Sequence, residues 1–229
     1  MSYPKHPETI ILKNEFYPHG LREIDIWNYY QKNKNKLLKE TLGKTLIVFF
    51  ATNVNQFIVI RKNKSEGLVR LNPSDYDTVV SGRSVSFHYV MDKYSDYGII
   101  DIDINNFTKA KEITTELYSL YSTAKFVYDL SIRFTGKESF HIKVDFRAKY
   151  PIEYIREKIH DFLMENRNKI GIDFTISHKR SPHIPNIDLN RNIYNAGHIS
   201  LYSLAVTGLK CMEVGPRQIR WFRKEDAKI

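Results

Sequence analysis

The chain has 229 residues, with 35 Lys and Arg against 26 Asp and Glu, a formal charge of +9 and a single cysteine, Cys211. With 42% hydrophobic residues, that length supports a real core in one large domain or two small, closely joined ones. One cysteine excludes a disulfide and a cysteine-based zinc knuckle, and the excess of positive charge points to a polyanionic partner. With neither a signal peptide nor a long apolar run, the expectation is a soluble, cytoplasmic protein with no membrane partner.

In chain order, residues 1–20 read as irregular. Residues 21–38 place Leu21, Ile24, Trp27 (or Ile26), Tyr30 and Leu37 near one side, which predicts an amphipathic helix. Residues 45–52 and 55–63 are strand candidates, and Asn53, Val54 and Asn55 between them suit a hairpin. Arg61 and Lys62 at its end are candidates to meet a phosphate. Residues 64–83 read as a loop with a short strand near 68–71. Residues 84–91 form a further strand holding His88, whose bland reading is a core or ring-stacked histidine.

From residue 97 the pattern becomes regular. YGIIDIDI is a strand, Thr108 is expected to cap a helix running to about 123, and residues 125–134 and 139–146 are strands joined by a TGKE turn. Pro151 starts a second helix with Ile152, Ile155, Ile159, Phe162 and Leu163 as its apolar stripe. Residues 172–180 supply another strand. The order βαββαβ is the ferredoxin-like arrangement also used by RNA-recognition modules, and it sets the Asp101 strand beside the His141 strand in mid-sheet. Residues 181–229 hold a Pro-containing loop, Asp188, a strand candidate at 199–206 and a basic, aromatic tail. The fold class expected is α/β (α+β), in one domain over 1–229. Residues 1–96 would form a helix-and-hairpin unit, and 97–229 an RRM-like unit carrying the motifs.

Asp101 and Asp103 stand at i and i+2 of a strand, so their carboxylates project to one face. Crowded carboxylates repel and lose solvation, which favours a bound cation. Their hard oxygen donors suit Mg²⁺ or Mn²⁺, and Asp188 is the natural third carboxylate. Thr135, Gly136, Lys137, Glu138 and Ser139 form a turn whose amides and Lys charge suit a triphosphate, although GxxxxGK[ST] is absent. His141 shares a face with Ser139.

The combination of DxD, TGKESFH and a later Asp resembles the archaeo-eukaryotic primase superfamily, most of all the polymerase domain of ligase D-type end-joining enzymes. Asp188, Arg191 and Asn192 match that family's DxxRN, and Tyr202 and Ser203 match its YS at the same distance. FYPHGLREIDIWNYY looks like its opening helix, and VIRKN like the strand whose basic residue meets the nucleotide. The resemblance spans about residues 15–222. It implies a primase-like catalytic core in which an RRM-like unit packs on the N-terminal unit. The implied activity is template-dependent addition of nucleotides, often ribonucleotides, to a DNA or RNA 3′-hydroxyl, in primer synthesis or gap-filling repair. Asp101, Asp103 and Asp188 would then hold two Mg²⁺ or Mn²⁺ ions. Arg61, Lys62, His88, Thr135, Gly136, Lys137, Ser139, His141, Arg191, Tyr202 and Ser203 would contact the nucleotide. Implied partners are template and primer strands, NTPs or dNTPs, and either a DNA ligase with an end-binding protein or a primase large subunit. The sequence departs from the pattern at Lys137, one place early, at Glu138 and Ser139, and at Ala205 where the family carries Arg. A noncatalytic RRM-like nucleic-acid-binding module is the alternative.

Overall fold

A computed structural model describes residues 4–60, 62–63, 67–176, 186–190, 193–195 and 207–229. It divides into two compact units: Met1–Val90 with Ile193–Met212 and Arg223–Ile229, and Met91–Asn192 with Glu213–Phe222.

In the first unit a short ribbon, β1 (Ile10–Leu12) with β2 (Leu21–Arg22), leads into α1 (Glu23–Lys32) and α2 (Lys34–Thr41). The single helix expected over 21–38 is thus two. Asn33 leaves helical geometry at φ −103°, ψ 12°, and its side chain donates to the Tyr29 carbonyl at 2.8 Å, a local bond that competes with helix propagation. The expected hairpin forms from β3 (Leu46–Asn53) and β4 (Gln56–Ile60), with Asn55 at φ +57° in its turn. The small pair β5 (Lys62–Asn63) and β6 (Gly67–Leu68) follows, then α3 (Tyr76–Val79) and β7 (Ser84–Val90).

The second unit begins with β8 (Tyr94–Asp103) and α4 (Phe107–Tyr121). Asn106, not Thr108, caps α4. Its extended backbone lets Oδ1 accept from the Lys109 amide at 3.0 Å, satisfying one of the amides left open at a helix start. β9 (Asp129–Phe134) starts later than expected because Ala124 and Val127 are held in turns by the Tyr121 and Ala124 carbonyls. β10 (Phe140–Pro151) and α5 (Ile152–Glu165) come next, with Pro151 as the N-cap of α5. Then come β11 (Thr175–Ile176) and β12 (Asn186–Asp188).

The chain next returns to the first unit. There β13 (Ile193–Asn195) joins β7 in a sheet ordered β13-β7-β3-β4, with Ile193 opposite Val90. β14 (Met212–Val214) closes the second unit's sheet, ordered β11-β12-β8-β10-β9-β14. The βαββαβ order holds, and β8 lies beside β10 as expected. A ferredoxin-like sheet would set its fourth strand directly against its first; here β12 stands between β11 and β8. The strand expected over 172–180 is described only at Thr175–Ile176, on the outer edge. The strand expected over 199–206 lies outside the described residues.

Alternation along the strands sorts this sheet into two faces. Ile100, Ile102, Ile142, Val144 and Ile187 pack under Ile113, Leu117 and Tyr121 of α4 and Ile155, Ile159 and Leu163 of α5. α5 lies so close to β8 that a Cβ on Gly98 would meet Ile159 Cδ1 at 2.5 Å and Ile155 Cγ2 at 2.7 Å. Gly98→Ala should therefore destabilise the fold by about 1–3 kcal/mol through overpacking, read as a lower denaturation midpoint.

Tyr121 ties α4 to α5 by donating its hydroxyl to the Ile159 carbonyl at 2.6 Å. Burial pushes its phenol above the ordinary 10.0. The folded state therefore favours the protonated ring. That stabilisation is complete below the unfolded value and is lost as pH rises beyond it. Unfolding midpoints should fall above about pH 10. Tyr121→Phe should flatten that fall while costing about 1 kcal/mol at neutral pH.

Candidate functional site

The sheet face turned away from α4 and α5 carries the polar residues, and backbone register sets them in two rows. In the first, Asp188 on β12 is opposite Asp101 on β8, Asp101 is opposite His141 on β10, and His141 is opposite Arg133 on β9. In the second, Asn186 is opposite Asp103, and Ser139 Oγ reaches Asp103 Oδ1 at 3.5 Å. Thr175 Oγ1 donates to Asn186 Oδ1 at 3.2 Å and extends this row to the edge strand.

The middle of the first row is almost dry. Asp101 is 2% exposed, His141 1% and Arg133 7%. Asp101 Oδ1 lies 3.1 Å from His141 Nε2, an ion pair when the ring is protonated. Charges at such depth interact strongly and tolerate little mismatch. Carboxylates thus occupy the β8 and β12 side of the face, an imidazole its centre, and a guanidinium the β9 side.

The predicted phosphate turn is a hairpin connection between β9 and β10. The Thr135 amide and Thr135 Oγ1 both donate to the Ser139 carbonyl, at 3.1 and 3.0 Å. Gly136 adopts φ +98°, a left-handed conformation that favours glycine. Gly136 is buried, while Lys137, Glu138 and Ser139 are partly exposed at the tip. The turn therefore sits at the end of β10 that carries His141.

The Asp188 carboxylate accepts from the Asn190 amide at 2.8 Å, and among the described residues no three His, Cys, Asp or Glu side chains are gathered as a metal-binding cluster. The donor chemistry of Asp101, Asp103 and Asp188 nonetheless fits a hard divalent ion: only carboxylate oxygens, on two adjacent strands in register.

The remaining predicted residues are distributed differently. His88 belongs to the first unit, is buried, bonds Ser86 through Nε2 and packs against Phe49 at 4.9 Å between ring centroids. Lys62 lies on β5 of the same unit. Arg61, Arg191, Asn192, Tyr202 and Ser203, together with Ala205, lie outside the described residues. Sequence reasoning missed Arg133 and Asn186. The signal for Arg133 was present in the alternation of SIRF, where Ile132 and Phe134 face the core and Arg133 takes the face of the carboxylates.

The sequence matches no protein-family model and no curated protein. Among solved structures, the chain is similar to a polymerase domain from Mycobacterium tuberculosis ligase D in complex with DNA. The TM-score is 0.74 at 8% identity, over 96% of this chain and 88% of that chain. The fold is that of a primase-like polymerase domain. Between them the two polar rows run from β11 and β12 through β8 and β10 to β9. No helix among the described residues is long and apolar enough to cross a membrane.

His141→Ala should leave the Asp101 carboxylate buried beside a void and cost about 1–3 kcal/mol. Equilibrium denaturation at neutral pH would show this as a lower midpoint with an unchanged slope.

Proposed function

We propose that the polar face of the second unit is a nucleotidyl-transfer site that adds nucleotides to the 3′-hydroxyl of a DNA or RNA strand on a template. The observation that carries this reading is the in-register row of Asp188, Asp101, His141 and Arg133 beside the Thr135–Ser139 turn. The primase-like fold and the +9 charge support it.

In such a reaction the 3′-oxygen forms a bond to the α-phosphorus, the bond to the bridging oxygen breaks, pyrophosphate leaves, and the hydroxyl proton is lost. Asp101, Asp103 and Asp188 would hold Mg²⁺ or Mn²⁺, which when bound supplies Lewis-acid activation of the hydroxyl and neutralises phosphate charge. His141, fixed against Asp101, orients a phosphate oxygen. Arg133 sits one strand further from the carboxylates, about 5 Å on, where a guanidinium suits the distal phosphates. Thr135, Gly136, Lys137 and Ser139 line the turn that receives the same chain of phosphates. Ribonucleotide preference, and a role in primer synthesis or gap filling, extend the reading by analogy with the resembling family.

A noncatalytic RRM-like module is the weaker reading, because such sheets present aromatic rings on their central strands. β8 and β10 present Asp101, Asp103 and His141 instead.

Asp101→Ala should abolish extension of a primed template in Mn²⁺, a loss of at least about a thousandfold, with the far-UV spectrum unchanged. Full activity in that variant would remove the metal assignment. As a readout independent of turnover, Mn²⁺ should raise the melting temperature of the wild type and have less effect on Asp103→Asn.

A further inference from the structure

The C-terminal part of the second unit carries an exposed aromatic residue that the nucleotidyl-transfer site does not use. Trp221 is 74% exposed, although its neighbours Ile219 and Phe222 are buried. Residues 215–222 form a helical turn, with the Ile219 amide on the Gly215 carbonyl and the Phe222 amide on the Gln218 carbonyl. Phe222 anchors this turn in a knot of rings with Phe107, Phe134 and Phe140, at centroid distances of 5.0–6.2 Å. Phe134 and Phe140 are the residues that flank the Thr135–Ser139 turn. The exposed ring is thus tied to the hairpin that carries the candidate phosphate turn.

The backbone on both sides of Trp221 is anchored as well. Lys111 Nζ on α4 donates to the Arg220 carbonyl at 3.2 Å and the Phe222 carbonyl at 3.4 Å, clamping the chain on both sides of residue 221. The Arg220 guanidinium lies 5.1 Å from the indole centroid. Arg217, four residues before Trp221 in the same turn, is exposed, as is Arg220. A large apolar ring exposed to water on an anchored stretch of backbone, with one cation over it and another a turn away, is arranged to receive a flat, electron-rich group next to an anion.

We propose that Trp221, with Arg217 and Arg220, is a stacking platform for single-stranded nucleic acid, in which a base lies on the indole and the arginines meet its flanking phosphates. Stacking on aromatic side chains tolerates any base, and Arg adds a cation–π contribution. The proposal shares a nucleic-acid partner with the proposed function but does not use its carboxylates. It adds a place where an unpaired stretch of template or primer is gripped outside the reacting centre.

The test titrates the full chain with a dT oligonucleotide in EDTA and without nucleoside triphosphate, so that catalysis plays no part. Only two tryptophans are present, and binding should quench indole emission in the wild type but not in Trp221→Ala. That variant should bind about five- to a hundredfold more weakly, the range that stacking of one base represents, and Trp221→Phe should recover part of the loss. Arg217→Ala and Arg220→Ala should each lower the slope of log K against log salt by about 0.7. Wild-type affinity and quenching pattern in Trp221→Ala would overturn the proposal. So would loss of a self-association, seen by light scattering, with oligonucleotide affinity unchanged; the exposed ring would then serve a protein contact. Primer extension by the wild type, measured separately, shows whether the nucleotidyl-transfer reading stands whichever way the titration falls.

Discussion

A carboxylate and an imidazole held 3.1 Å apart, both almost wholly out of water, set the terms for the second unit. A carboxyl group is tolerated at that depth because a polar partner faces it across the strand pair. The pairing depends on register: Asp101 and His141 are opposite each other because Ile100 is opposite Ile142 and Ile102 opposite Phe140. A slip of one residue would push the carboxylate and the ring into the isoleucine and phenylalanine layer beneath α4 and α5. The apolar face therefore fixes the polar face. Helix packing on one side of a sheet determines where charge can stand on the other.

That dependence explains why the centre of this polar face was legible from sequence. IDID within a run of isoleucines displays both the strand period and the sorting of faces, and SFHIKV does the same for the partner strand. Both elements are long enough for periodicity to speak. β12 is not. Three residues, Asn186, Ile187 and Asp188, carry no recognisable period, and only the three-dimensional structure shows that they form a strand wedged between β8 and the edge. The cap of α4 differs from expectation for a related reason: Thr108 and Asn106 are both acceptable at a helix start, and the backbone angle that selects Asn106 is a property of the folded loop. A basic residue in a strand usually faces solvent, so the alternation of SIRF reveals the face that Arg133 takes but not its burial. The departures around Lys137 and Glu138 fall at the tip of the hairpin, where exposure leaves side chains free to vary without cost to the core.

The second unit also assigns separate work to its two kinds of aromatic residue. Phe107, Phe134, Phe140 and Phe222 make a cluster that packs the start of α4, both ends of the Thr135–Ser139 turn and the returning tail into one body. Trp221, immediately beside that cluster, faces outward. One change of direction in the backbone separates a residue that holds the hairpin from one available to a ligand.

The return of the chain has a further meaning. Val90, the last residue of β7, and Ile193, the first of β13, are cross-strand partners, so residues 91–192 leave and rejoin the first unit at one point. In polymer terms this is a ring closed by a three-residue strand pair, and the cost of closing such a ring rises only slowly with its contents, by about 0.6 kcal/mol for each doubling of length. Lengthening a loop within the ring adds little to the demands on the frame that holds its ends. Such an architecture leaves the frame of the first unit largely indifferent to the length of the segments between Val90 and Ile193.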